Sequence, residues 1–291
     1  MTRRTAIATM VIAALSSPIF LSGEQTEDLA FDLREIQKKS GGRLGCAVLD
    51  TSTGRRVGIR LNERFPMCST SKVASTALVL QRVDKGIERL DRKIIFSRKD
   101  LVTYSPITEK HVGPEEMTVA ELCQAAMTLS DNTAANLLLS SFGGPKALTA
   151  FLRSIGDPVT RLDRTEPTLN EATPGDPRDT TTPAAMLDDL HRFVFGNVLS
   201  VSSRSMLANW MLTNTTGATS LRAGMPEDWK IGDKTGSGGH GSTNDIAVIW
   251  VPRRAPVLVT AYLTECSLQS KERYAILADI GRAVASTVKS A

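Results

Sequence analysis

Strand-like segments near both ends of the chain enclose a long helical middle, and this order limits the folds that the chain can adopt. Segments 43–50 and 56–61 are short and rich in apolar residues, which predicts a β-hairpin. Segments 246–250 and 257–263 are runs of β-branched and apolar residues joined by a turn-rich link. The stretch from about residue 69 to residue 212 has mostly helical spacing of its apolar side chains.

Residues 27–39 and 271–289 also have helical spacing. Together these patterns predict an α+β fold, in which an antiparallel sheet from both chain ends is covered by the terminal helices. An all-helical domain is then inserted into the sheet domain. The predicted division is a sheet domain of residues 24–61 and 213–291 and a helical domain of residues 62–212. We expect the active site in the cleft between them.

The first 23 residues have the composition of a secretory signal peptide. Arg3 and Arg4 form a basic start, residues 6–21 carry no charge, and small residues precede the polar Glu24. The apolar run is short and is interrupted by Pro18, so a stable membrane anchor is not expected. This pattern predicts a periplasmic or secreted protein and leaves open whether export uses the general or the twin-arginine route.

Removal of the leader would lower the formal net charge from +4 to about +2, because two arginines leave and no acidic residue does. The mature chain has no basic cluster, which argues against a nucleic-acid partner. Neither the four cysteines nor the three scattered histidines have the spacing of metal ligands. We therefore expect no metal and no cofactor, and a monomer that acts on a small molecule.

Four short motifs indicate a serine acyl-transfer site. They are Ser69-Thr70-Ser71-Lys72, Ser130-Asp131-Asn132, the segment Arg164 to Asn170, and Lys234-Thr235-Gly236. Residues three apart share a helix face, so the Lys72 ammonium group can reach the Ser69 hydroxyl. Pro66 predicts that the helix starts after it, with Ser69 in the first turn, where unpaired N–H groups favour an oxyanion.

The other motifs are predicted to border the same cleft. A capping box at Thr118 and Glu121 opens a helix, and another helix follows Asn132, so the Ser130 triplet is a short connection between rigid supports. We expect Asp131 to hold this turn by local hydrogen bonds. Lys234 to Ser237 should lie on a strand beside the cleft, where a glycine permits close approach of the backbone.

These motifs, in this order, resemble those of the class A serine β-lactamases, and the chain is most similar to the cefotaxime-hydrolysing branch. The resemblance implies hydrolysis of penicillins and cephalosporins through an acyl-serine, and hence antibiotic resistance. It implies a catalytic set of Ser69, Lys72, Ser130, Glu166 and Asn170. It implies a substrate-binding set of Asn132, Lys234, Thr235, Gly236, Ser237, Tyr104 and Arg273, with Asn214 and Thr216 on the far rim.

The same resemblance implies how the loop that carries Glu166 is held. The peptide bond between Glu166 and Pro167 should be cis, Arg164 and Asp179 should form an ion pair, and Asn136 should brace the glutamate. The partners of the disulfides found in some relatives are absent, so free and mostly buried thiols are expected. An arginine that many relatives use for the substrate carboxylate is also absent from its usual strand, and Arg273 is the predicted substitute.

Two other functions share the first three motifs. A D-Ala-D-Ala carboxypeptidase or transpeptidase lacks the loop with the glutamate that frees the acyl-enzyme. A β-lactam sensor domain stays acylated and needs membrane helices to report binding. Glu166 therefore favours a hydrolase, although the sequence leaves open whether Lys72 or Glu166 activates Ser69. Ser237 and Gly238 point to oxyimino-cephalosporins as substrates.

Overall fold

A computed structural model describes residues 23–113 and 116–289, so the predicted leader lies outside the described residues except for Gly23. The helices are α1 (Gly23–Ser40), α2 (Ser71–Asp84), α3 (Val119–Thr128), α4 (Asn132–Ser141), α5 (Gly144–Ser154), α6 (Pro183–Val194), α7 (Val201–Leu212) and α8 (Ser270–Lys289). The strands are β1 (Arg43–Asp50), β2 (Arg56–Ile59), β3 (Phe65–Pro66), β4 (Lys93–Ile94), β5 (Met117–Thr118), β6 (Thr180–Thr181), β7 (Lys230–Ser237), β8 (Thr243–Trp250) and β9 (Val257–Thr264).

Five strands form one antiparallel sheet in the order β2-β1-β9-β8-β7. The strand from the N-terminal part, β1, pairs along its whole length with β9 from the C-terminal part. Both chain ends therefore build the sheet, which confirms the α+β prediction. Strand β7 lies at the edge and carries the Lys234 motif, so one side of that motif is free to face the cleft.

The sheet separates two apolar cores, because alternate residues of each strand point to opposite faces. Val48 faces a core with Leu29 of α1 and Leu277 of α8. Its neighbour Leu49 faces a second core that is continuous with helices α2 to α7. The predicted domain boundaries at residues 61/62 and 212/213 stay a prediction, since the helices and the inner sheet face share this second core.

The described residues include no helix long and apolar enough to cross a membrane. All four cysteines are free and buried, as expected. Burial raises the pKa of both Cys46 and Cys68 to about 12, which keeps these thiols protonated at neutral pH.

Candidate active site

Ser69 lies in the 3₁₀ turn Cys68–Thr70, which leads directly into α2. Helix α2 runs through the middle of the inner core, and its residues from Ser71 to Leu80 are all buried. The buried helix therefore holds both Ser69 and Lys72 in fixed positions. Lys72 Nζ donates a hydrogen bond of 3.0 Å to Ser69 Oγ, as the helical spacing predicts.

The Ser130 triplet forms the opposite wall, between α3 and α4. The Asp131 carboxylate accepts from the amides of Ala134, Ile107 and Thr108 at 2.8–2.9 Å. It therefore caps α4 and ties the connection to the neighbouring loop, which confirms the local role predicted for Asp131. Ser130 is held at φ +58°, and its side chain points into the cleft.

Lys72 contacts several of the other polar residues of the site. Besides Ser69, its Nζ donates to the Ser130 carbonyl oxygen at 2.8 Å and to Asn132 Oδ1 at 2.6 Å, and it lies 3.0 Å from Glu166 Oε1. Burial lowers the pKa of Lys72, and the nearby Glu166 carboxylate opposes that shift. The network can therefore hold or release a proton beside the Ser69 hydroxyl.

Glu166 reaches the same hydroxyl from a long loop. Its Oε1 lies 3.3 Å from Ser69 Oγ, and Asn170 Nδ2 donates to its Oε2. Asn136 on α4 bonds both backbone groups of Glu166 at 2.9 Å. The Glu166–Pro167 peptide bond is cis. The cis bond and the bracing by Asn136 were predicted from the resemblance, whereas the direct contact of Glu166 with Ser69 was not.

An ion pair closes the base of this loop. Arg164 Nε donates to Asp179 Oδ2, and the other Asp179 oxygen accepts from the amides of Asp163 and Arg164 at 2.8 and 2.9 Å. Asp179 is fully buried, so its charge depends on these three donors. The predicted Arg164–Asp179 pair is confirmed.

Lys234 projects from β7 beneath Ser130. Its Nζ is buried and donates to Ser130 Oγ at 3.0 Å and to the Thr235 carbonyl oxygen at 2.8 Å. Burial, with a further contribution from the Lys72 charge, lowers the pKa of Lys234 to about 7. The positive charge in this part of the cleft is therefore weaker than that of an exposed lysine.

Two backbone amides face the gap between β7 and the Ser69 turn. The Gly238 amide donates to the Ser242 carbonyl oxygen, so the preceding amide of Ser237 points to the free edge. A Cβ at Gly236 would lie only 3.1 Å from the Ser69 amide nitrogen. The strand can therefore approach the serine turn only because this residue is glycine. The arrangement suits a pair of N–H donors for an oxyanion.

The cleft has a volume of about 320 Å³, which is enough for a small bicyclic ligand. Its lining contains Ser69, Tyr104, Ser130, Asn132, Asn170, Thr216, Thr235, Gly236, Ser237 and Tyr274. Most predicted site residues are thus brought together. Lys72, Glu166 and Lys234 lie just behind this surface, and they hydrogen-bond Ser69, Ser130 and Asn170, which line it.

The predicted placement of Arg273 needs a correction. Its guanidinium group donates to Thr243 Oγ1 at 2.9 Å and to the Leu268 carbonyl oxygen at 2.5 Å, and it does not line the described cleft. The next residue, Tyr274, lines the cleft instead, with its hydroxyl 3.0 Å from Ser237 Oγ. The sequence motifs did not reveal Tyr274, because the resemblance implies a cation in this helix turn and Tyr274 is a neutral hydrogen-bond donor.

Comparisons with known proteins agree with this geometry. The model of the family described as "Beta-lactamase enzyme family" matches residues 28–288. β-Lactamase CTX-M-8 of Citrobacter amalonaticus is 48% identical over 269 residues, which cover 92% of this chain and 91% of that protein. β-Lactamase Toho-1 of Escherichia coli is 45% identical over 282 residues, which cover 97% of each.

A solved structure of an ancestral class A β-lactamase is 64% identical and has a TM-score of 0.88. The match covers 89% of this chain and 99% of the ancestral one. The CTX-M and Toho relatives support the cefotaxime-hydrolysing branch that the motifs resemble. The chain therefore belongs to the β-lactamase enzyme family, as a class A hydrolase.

Proposed function

We propose that the chain opens the β-lactam ring of penicillins and cephalosporins through an acyl-ester on Ser69, and so confers antibiotic resistance. The observation that carries this proposal is the placing of two groups around one hydroxyl. Lys72 Nζ lies 3.0 Å and Glu166 Oε1 3.3 Å from Ser69 Oγ. A serine hydroxyl needs such a base before it can attack a carbonyl carbon.

In the first half of the reaction, Ser69 Oγ attacks the lactam carbonyl and its proton enters the Lys72–Glu166 pair. The oxyanion is held by the amides of Ser69 and Ser237. Removal of one such donor typically costs about 10²–10³ in rate. Ser130 accepts hydrogen bonds from Lys72 and Lys234, so its own proton is free to pass to the lactam nitrogen as the C–N bond of the ring breaks. The proton taken from Ser69 then passes through Lys72 to Ser130, which restores the serine and leaves Glu166 ionised.

In the second half, water must attack the ester. Glu166 accepts the proton of a water molecule that Asn170 also holds, since both side chains meet beside Ser69. As the ester bond breaks, Glu166 returns this proton to Ser69 Oγ. This step separates a hydrolase from a protein that only becomes acylated. Lys72 is not needed for deacylation, because Glu166 lies in direct contact with Ser69.

The rest of the cleft binds and orients the substrate. Lys234 attracts its carboxylate, Thr235 and Gly236 form the β7 wall against which the substrate lies, and Asn132 donates to the amide carbonyl of the substrate's side chain. Tyr104, which is 54% exposed, forms the outer wall. Oxyimino-cephalosporins are the proposed preferred class.

A chromogenic cephalosporin tests the proposal against its rivals. Steady turnover by the purified protein supports a hydrolase. A single burst equal to the enzyme concentration would instead support a D-Ala-D-Ala peptidase or a sensor domain. Glu166→Ala should slow deacylation by about 10²–10⁴-fold and leave an adduct on Ser69 that intact-protein mass spectrometry detects. Glu171→Ala is the matched control. This carboxylate is half-exposed on the same loop and pairs with Arg164 but has no described hydrogen bond to Ser69 or Asn170, so the variant should turn over. Normal turnover by Glu166→Ala would contradict the role given to the glutamate.

We also propose that the protein is exported to the periplasm or the medium, with residues 1–23 removed, and that it acts there as a monomer. The N-terminal sequence of protein recovered from the periplasm tests the cleavage site. A mature chain that starts near residue 24 is the expected result. A chain retained in the cytoplasm with an intact N-terminus would contradict it.

A further inference from the structure

The cleft has little positive charge with which to bind the substrate carboxylate that the proposed function requires. Among the described residues, those that line the cleft have no ionised side chain. Two guanidinium groups nearby are engaged elsewhere, because Arg222 pairs with Asp233 and Arg273 bonds Thr243 and Leu268. Lys234 is buried behind Ser130. Neutral donors must therefore supply much of the recognition.

The hydroxyl protons can be assigned from the hydrogen bonds. Thr216 Oγ1 lies 2.8 Å from Asn214 Oδ1, which only accepts, so the Thr216 proton is used there. The Asn214 amide orientation is fixed independently, because its Nδ2 donates to Asp233. In the Thr216–Thr235 bond of 2.5 Å, Thr235 must then be the donor. The Thr235 proton is thus directed away from the substrate unless that bond breaks.

The pair formed by Ser237 and Tyr274 differs from the Thr216–Thr235 pair, because it keeps one hydroxyl proton that can be donated to a substrate. Their oxygens lie 3.0 Å apart, and one hydrogen bond between two hydroxyls uses only one of the two protons. The second proton has no other acceptor among the hydrogen bonds described for these two residues. Both side chains line the cleft, on the same side as Gly236. An O–H donor is therefore available there without disturbing the network around Lys72.

We propose that Tyr274 is a substrate-binding residue that determines specificity, and that its hydroxyl and that of Ser237 together receive the substrate carboxylate. The inference rests on the proposed function. The phenol takes the place of a cation, so recognition at this end of the cleft depends on hydrogen-bond geometry more than on long-range charge. The ring of Tyr274 also limits the size of the group that the substrate carries next to its carboxylate.

The test compares a cephalosporin that has a free carboxylate with the ester of the same compound. For the free acid, Tyr274→Phe should raise KM about tenfold and change kcat less than twofold, because a hydrogen bond to a charged group is lost. For the ester, both constants should stay within twofold of those of the unchanged protein. Lys271→Gln, an exposed change in the same helix turn, should leave KM for both compounds unaltered.

A double variant separates contact with the substrate from positioning of Ser237. If Tyr274 only positioned Ser237, then Tyr274→Phe would have no effect once Ser237→Ala was present. We expect it still to raise KM severalfold for the free acid. An unchanged KM in Tyr274→Phe, or equal losses for acid and ester, would overturn the inference. Failure of the proposed function would look different, since the unchanged protein would then give one burst and no steady turnover.

Discussion

Asn136→Ala should weaken both the fold and the second half of the reaction, through one pair of hydrogen bonds. The Asn136 side chain accepts from the Glu166 amide and donates to the Glu166 carbonyl oxygen, both at 2.9 Å. These bonds span from α4 to the loop that carries the glutamate. No other side chain of the described residues bonds both backbone groups of Glu166.

The magnitude follows from the two groups that lose their partners. A partly buried backbone group without a partner costs about 1–3 kcal/mol, and water can reach this loop, so we expect a loss of about 2–3 kcal/mol in unfolding free energy. Glu166 would also lose its fixed distance from Ser69. Since a general base contributes about 10²–10⁴-fold, deacylation should fall at least about 100-fold. Acylation should fall less than about tenfold, because Lys72 keeps its contact with Ser69.

Urea denaturation measures the first effect, and stopped-flow kinetics with a chromogenic cephalosporin measures the burst and the steady rate separately. Thr149→Val is the matched control. The Thr149 hydroxyl bonds the amide and the carbonyl oxygen of Leu162 at 3.0 Å in the same pattern, and neither residue lines the cleft. The Thr149→Val variant should lose a similar amount of unfolding free energy and should deacylate at the normal rate. Normal deacylation by Asn136→Ala, at equal loss of stability, would refute the bracing role.

Two further predictions concern buried charges. Arg164→Ala should lower the unfolding free energy by about 3–5 kcal/mol, because the buried Asp179 carboxylate loses its cation. In urea denaturation, the double variant Arg164→Ala with Asp179→Ala should recover part of that loss. Strictly additive losses would contradict this reasoning. Burial and the neighbouring Asp157 raise the pKa of Asp189 to about 9, from 3.8 in an unfolded chain, so the folded state binds one more proton between these values. Unfolding free energy should therefore fall as pH rises from about 4 to 9, and Asp189→Asn should flatten that dependence. An unchanged slope between pH 6 and pH 8 in Asp189→Asn would argue against the raised pKa of Asp189.

The helix contacts around the site could be predicted because they are local. Ser69 and Lys72 are three residues apart, and a helix brings them together wherever it lies. The capping box at Thr118 and Glu121 is local in the same way, and both of its hydrogen bonds are present. The ends of elements were predicted less accurately, since helix α1 starts at Gly23 and not at about residue 27.

Contacts across the cleft were predicted only through the resemblance. Glu166 lies 97 residues from Ser69 along the chain, and no periodicity relates them. The resemblance was weaker at the start of α8, where the prediction placed a carboxylate-binding residue. It chose Arg273, one residue before Tyr274, which lines the cleft. Helical spacing could not distinguish Arg273 from Tyr274, because buried residues lie three and four places after each of them in α8. The spacing therefore assigns both residues to similar faces of the helix.

By itself, the sequence determined the class of fold and the pairing of the serine with its lysine. These follow from short-range patterns and residue chemistry, which do not depend on distant parts of the chain, whereas the glutamate was implied only by the resemblance. Only the tertiary structure decided how far Lys234 is buried, which hydroxyls keep a free proton, and that a tyrosine lines the end of the cleft. Each of these depends on how β7, α8 and the Ser69 turn pack against one another, and that packing is set by contacts between residues far apart in the chain.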